Sequence, residues 1–210
     1  MKLIKKLKKE IDIKTAAVMI FATLFLVLRE YHPIAENHWN SILYYFILPM
    51  LVILLIFKDK PKEYGFQVGD WKKGLKYVGI CLILMIFVNI FFLFFSSIWG
   101  YYGAALTAKE FLVRSGKDFI STFGWEFILR GFLLFGLAKR FGNSAIVIQT
   151  VPFVLLHLGK PEIETLGTIV SGLVLGYIAL RSKSFWPAWI THFLVGLMLY
   201  SYILFNNMMV

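Results

Sequence analysis

The sequence predicts an all-α, polytopic membrane helix bundle of about seven transmembrane helices, with the N-terminus inside and the C-terminus outside. Three observations predict it. Apolar residues make up 59% of the 210-residue chain and charged residues only 16%, against roughly 45–50% and about 25% in soluble domains. The mean hydropathy is +0.74, and a soluble core of this size has too little interior to hide so many apolar side chains. The apolar residues also fall into segments approaching the roughly 20 residues needed to span a bilayer as helix.

The elements follow in chain order. Lys2, Lys5, Lys6, Lys8, Lys9 and Lys14 precede an apolar run from Thr15 to Leu28. The following Arg29-Glu30-Tyr31-His32-Pro33 lacks a small-residue cleavage pattern, so the run reads as an uncleaved first span. It is helical from about Ile11, with Lys14 and Arg29 snorkelling to the two interfaces. The second span is Trp39 to Phe57. A polar, basic surface loop with Pro61, Gly65 and Gly69 follows. The third span runs from about Tyr77 to Trp99, and the mixed segment Gly100 to Gly116 is expected to hold a short interfacial helix. The fourth is about Lys117 to Ala138, the fifth Ser144 to Leu158 with Pro152 inside it, the sixth Thr165 to Leu180, and the seventh Phe185 to Phe205. No linker or repeat divides residues 1–210, so a single integral membrane domain is expected.

The net charge of +10 does not point to nucleic acid, because the basic residues sit at the ends of apolar segments. With the N-terminus inside, sixteen of the twenty-two Lys and Arg fall on the inner side, five on the outer side, and Arg130 inside the membrane. That asymmetry orients the bundle. Trp39, Trp99, Tyr101, Tyr102, Trp186 and Trp189 fall near the expected interfaces, as aromatic belts do. The predicted location is the cell membrane, with lipid as the surrounding partner. The lone Cys81 permits no disulfide within the chain, and it reads as a packing residue.

Ionisable groups within a span are costly and mark candidate functional sites. Glu126 and Arg130 lie four apart in the fourth span, on one helix face. The fifth span carries Gln149 and His157, the seventh His192. Taken singly, each has a bland reading: a structural ion pair, or a hydrogen-bonded packing histidine. Together they place one carboxylate and two imidazoles on three helices. A carboxylate and a histidine can hold and deprotonate a water, and a second histidine can donate to a developing oxyanion. That set suits peptide hydrolysis without a covalent intermediate. Zinc is the competing use of one Glu and two His, but there is no His-Glu-x-x-His pattern, and no metal or cofactor is expected. One discord remains. At about 1.5 Å per residue, Glu126 and His157 lie roughly 20 Å from the inner side, and His192, seven residues from Phe185, only roughly 10 Å.

Three segments carry a resemblance: Trp125-Glu126-Phe127-Ile128-Leu129-Arg130-Gly131, Phe153-Val154-Leu155-Leu156-His157, and His192-Phe193-Leu194-Val195-Gly196. Over about Asp118 to Phe205 the chain resembles the CAAX protease and bacteriocin-processing (CPBP) family of intramembrane glutamic proteases. That family's pattern is Glu-Glu-x-x-x-Arg, Phe-x-x-x-His and His-x-x-x-Asn on successive helices. The resemblance implies catalytic roles for Glu126, Arg130, His157 and His192, with Glu126 and His157 activating water and His192 stabilising the oxyanion. The implied substrate is a membrane-embedded or membrane-proximal peptide or protein. Two positions depart from the pattern: Trp125 stands in place of the first glutamate and Gly196 in place of the asparagine. The rival expectations are a non-catalytic member that binds a membrane partner or confers bacteriocin immunity, and, with no repeat to support it, a small transporter.

Overall fold

Each segment expected to span the membrane contains a helix in the computed structural model, which describes residues 12–102 and 106–209, although the third is broken after Phe92 and the fifth leaves helix after Leu155. Lys2, Lys5, Lys6, Lys8, Lys9 and the expected helix start at Ile11 lie outside the described residues. The helices are α1 Ile13–Tyr31, α2 Asn37–Ile56, α3 Trp71–Phe92, a short α4 Ser96–Tyr102, α5 Ala108–Phe141, α6 Ser144–Leu155, α7 Glu162–Ser182 and α8 Trp186–Met209. Five of them, α2, α3, α5, α7 and α8, are long and apolar enough to cross a bilayer. Outward-facing apolar side chains such as Phe87 (69% exposed) and Leu55 (67% exposed) give the bundle a lipid-compatible surface. The chain is thus a membrane protein of helical, polytopic type.

Local chemistry explains the helix ends. Asp12 caps α1, its carboxylate accepting from the Lys14 and Thr15 backbone N–H groups. Around Pro49, which has no N–H to donate, α2 widens into π-helical turns at Leu43–Ile47 and Val52–Ile56. The third span stops at Phe92, short of Trp99, and α4 follows a break. The fourth helix starts at Ala108, nine residues before the expected Lys117, because Thr107 and Glu110 form a capping box. At 34 residues, α5 is about 51 Å long, so it outruns a hydrocarbon core of about 30 Å or crosses it tilted.

The loop after α2 differs most from expectation. It is not a simple surface loop. Tyr64 is fully buried, and Phe66 packs among Phe46, Phe127, Phe185 and Trp186. Four hydrogen bonds fasten residues 65–70 to residues 182–185. The Phe185 N–H donates to the Gly65 carbonyl (3.1 Å) and the Asp70 N–H to the Ser182 carbonyl (2.7 Å). The Ser184 hydroxyl donates to the Gln67 carbonyl (2.6 Å), and the Gln67 amide to the Lys183 carbonyl (3.0 Å). Gly69 is in the left-handed region at φ 64°, and an added Cβ there would lie 2.2 Å from the Ser182 carbonyl oxygen. Lys139 pairs with Glu63 at 2.6 Å, and Lys14 pairs with Asp59, so ion pairs seal this end of the bundle.

As a result α8 begins within the protein. Phe185 is fully buried and packs on Phe127 (centroids 5.4 Å) and Phe123 (5.6 Å). The depth discord for His192 therefore disappears, because Phe185 does not sit level with Lys139. Trp186 and Trp189 pack on Phe123 in the same cluster, one tilted and one edge-on, and both are partly buried. Arg29 also differs from expectation: its guanidinium turns inward over Tyr45 (5.4 Å) and Trp125 (5.7 Å).

Candidate active site

Glu126 and Arg130 sit at the junction where α5 passes into a π-helical turn, Phe127–Leu133. Such turns are frequent at functional sites, because they re-aim side chains without ending the helix. Both residues are fully buried. Arg130 Nη1 donates to Glu126 Oε1 at 2.7 Å, and the guanidinium lies 4.0 Å from the centre of the Phe153 ring. Among the described residues, Arg130 Nε and Nη2 and Glu126 Oε2 have no partner.

His157 lies just past the end of α6, where Pro152 and the following turn release the chain from helix. Its Nδ1 is 2.8 Å from the Phe153 carbonyl oxygen. That oxygen can only accept, so Nδ1 carries the proton in neutral His157 and Nε2 keeps a lone pair. The Thr165 hydroxyl donates to the His157 carbonyl at 2.8 Å, tying the turn to α7. Gln149 is fully buried and donates to the Gly172 carbonyl at 2.9 Å, across a contact so close that a Cβ on Gly172 would lie 2.7 Å from Thr150. Its role here is to bind α6 to α7.

On α8, His192 Nδ1 lies 2.7 Å from the same Oε1 of Glu126 that Arg130 holds. The rings of His157 and His192 are stacked with centroids 6.3 Å apart, and Phe153 touches both, at 4.6 and 5.7 Å. Thus the structure brings Glu126, Arg130, His157 and His192 together from three helices. The imidazole bonded to Glu126 is that of His192. His157 joins the cluster through His192 and Phe153. Trp125 adjoins His157 edge-on at 5.5 Å. Beyond Gly196 an added Cβ meets nothing within 4 Å. Among the described residues, no three His, Cys, Asp or Glu side chains converge as metal ligands.

Sequence reasoning passed over Asn89, which is buried in α3 and donates to the Val195 carbonyl at 3.2 Å. The signal was present: apart from Tyr77 and Cys81, Asn89 is the one side chain between Tyr77 and Phe95 with a hydrogen-bonding group. It anchors α8 beside Gly196.

A cavity of about 470 Å³ opens between α2, α5 and α8, lined in part by Arg114, Lys117, Asp118, Ser121 and Tyr200. It is not the cluster itself. Ser121 and Tyr200 each stand one helical turn from the site, four residues from Trp125 and Gly196 respectively. The Tyr200 hydroxyl donates to Asp118 at 2.6 Å and so joins α8 to α5 beside the cavity.

No curated protein and no solved structure matches the chain. A protein-family model does, over residues 119–198, the stretch that holds Glu126, Arg130, His157 and His192. That model is described as type II CAAX prenyl endopeptidase Rce1-like, so over this segment the chain is similar to CAAX-type proteases, in line with the sequence resemblance.

Proposed function

We propose that the chain is an intramembrane glutamic-type endopeptidase that hydrolyses peptide bonds of membrane-embedded or membrane-proximal substrates in the cell membrane. The observation that carries this reading is the convergence of Arg130 and His192 on one oxygen of Glu126, with His157 alongside. Fixing Oε1 leaves Glu126 Oε2 and His157 Nε2 as the lone-pair groups that activate water. Water oxygen attacks the scissile carbonyl carbon as its proton passes to this pair. The carbonyl π electrons move to oxygen, which His192, positioned by Glu126, stabilises as a hydrogen-bond donor. The oxyanion then collapses, the C–N bond breaks, and the departing amine takes the proton. Arg130 offsets the buried carboxylate charge and orients it. The matched family's description names CAAX prenyl endopeptidases, so farnesylated Cys-Ala-Ala-X peptides are a natural probe beside peptides of other types.

The test compares membrane peptides, by mass spectrometry, among cells carrying the intact chain, Glu126→Gln or His157→Ala. The reading expects cleavage products to vanish, and uncut precursors to accumulate, in both variants. Unchanged products in both would overturn it.

A second reading is favoured by Trp125 and Gly196. A Trp in place of a carboxylate suits a chain that binds a membrane partner or confers immunity without catalysis. Under it, both variants keep the phenotype of the intact chain.

A further inference from the structure

Two residues beside the cluster are not absorbed by that mechanism, Trp125 and Arg29. A developing oxyanion is stabilised best by more than one donor, and the donors here are few. His157 Nδ1 is spent on the Phe153 carbonyl. The Gln149 amide is spent on backbone and on Thr150. Arg130 Nε and Nη2 are also without a partner among the described residues, but Arg130 is wholly enclosed against Glu126 and Phe153, whereas Trp125 is only partly buried. Gly196, one turn beyond His192, has no side chain to donate. Trp125 is different. Its indole N–H is donor-only, and Nε1 is buried without a partner among the described residues. A buried donor left unpaired is costly, a cost expected where a ligand atom completes the bond. The ring adjoins His157 edge-on at 5.5 Å, which places the indole beside the water-activating histidine. The Arg29 guanidinium lies 5.7 Å from the indole centre. A cation there draws electron density from the ring and makes the N–H a stronger donor.

We propose that the indole N–H of Trp125, polarised by Arg29, donates a hydrogen bond to the scissile carbonyl oxygen and serves with His192 as the oxyanion site. This rests on the hydrolytic reading above. In the step concerned, the water O–C bond forms, the carbonyl becomes C–O⁻ and accepts from Trp125, and the bond relaxes as the amine leaves.

The test uses the full chain in liposomes with a proteome-derived peptide library supplemented with farnesylated Cys-Ala-Ala-X peptides. A cleaved peptide is then taken forward for kcat and KM. Trp125→Phe keeps an aromatic ring and loses the N–H. A second variant places benzothienylalanine at position 125, an isostere with sulfur in place of N–H, so packing is preserved. Both are expected to lose about 100-fold or more in kcat with KM unchanged. Kcat equal to the parent in the isostere would overturn the donor role. His157→Ala separates this outcome from failure of the underlying reading. If it abolishes cleavage while the isostere does not, hydrolysis stands and the donor assignment falls. If the parent chain cleaves nothing in the library, both fall.

Discussion

Glu126 and His192, 66 residues apart in sequence, are joined at 2.7 Å through Glu126 Oε1 and His192 Nδ1. Arg130 binds the same oxygen at 2.7 Å. One carboxylate oxygen therefore holds together two helices, α5 and α8, and a fully buried guanidinium.

This sharing predicts that Glu126→Gln loses stability as well as activity. Removing one partner of a buried pair leaves the other charged and unpaired, at a cost of about 3–5 kcal/mol. Thermal melting in detergent should show a lowered midpoint for Glu126→Gln. The double variant Glu126→Gln/Arg130→Met should recover most of the loss, with cleavage still absent. A double variant as unstable as the single one would contradict the pairing argument.

Helix contact just before the site is equally specific. An added Cβ on Gly124 would lie 2.4 Å from the Ser41 carbonyl oxygen. Backbone cannot yield as a flexible side chain can. Gly124→Ala should therefore push α5 away from α2, lower the melting midpoint and reduce cleavage together. Gly196→Ala, where the added Cβ meets nothing, should melt as the parent does.

Water should reach the site from the cavity beside Ser121 and Tyr200. In a Cys81→Ala background, Ser121→Cys and Gly196→Cys should react with a charged, water-soluble thiol reagent. Phe87→Cys, on a 69% exposed apolar face, should resist it if that face meets lipid. Equal labelling at all three positions would argue against the assigned path.

The sealed end of the bundle should respond to acid. Burial raises the pKa of Asp59, but the hydrogen bonds from Lys14 and Tyr64 outweigh it and hold the carboxyl below its usual range. The hydrogen bond from Lys139 does the same for Glu63. For a depressed carboxylate the stabilisation is present above its unfolded pKa, roughly pH 4, and is lost as pH falls through the folded value. Hydrogen exchange at residues 61–69 should accelerate below roughly pH 4 and be insensitive to pH near neutrality. Asp59→Asn should accelerate it at neutral pH.

Much of the bundle was legible because hydropathy marks long apolar helices directly. The cluster was legible because Glu126, Arg130, His157 and His192 are polar groups where lipid disfavours them. Other features were hidden for physical reasons. Lys109, Glu110 and Arg114 gave the start of α5 the composition of a loop, although Thr107 and Glu110 spell a capping box. The break after Phe92 falls within an unbroken apolar run, where composition cannot place a helix end. The residues at 61–69 look like surface, yet Tyr64 and Phe66 are drawn inward by packing with α5 and α8. That docking sets where α8 begins and hence the depth of His192. Tertiary contacts decided these points, and no local pattern records them.

The most direct test of the central claim is the membrane peptidome of cells expressing the intact chain against His157→Ala, since that change removes the imidazole proposed to activate water and leaves the Glu126–Arg130–His192 linkage in place. The account predicts peptides cut by the intact chain and uncut precursors in the variant, with equal amounts of folded protein in the membrane. Identical peptide profiles from the two, at equal folded protein, would contradict it.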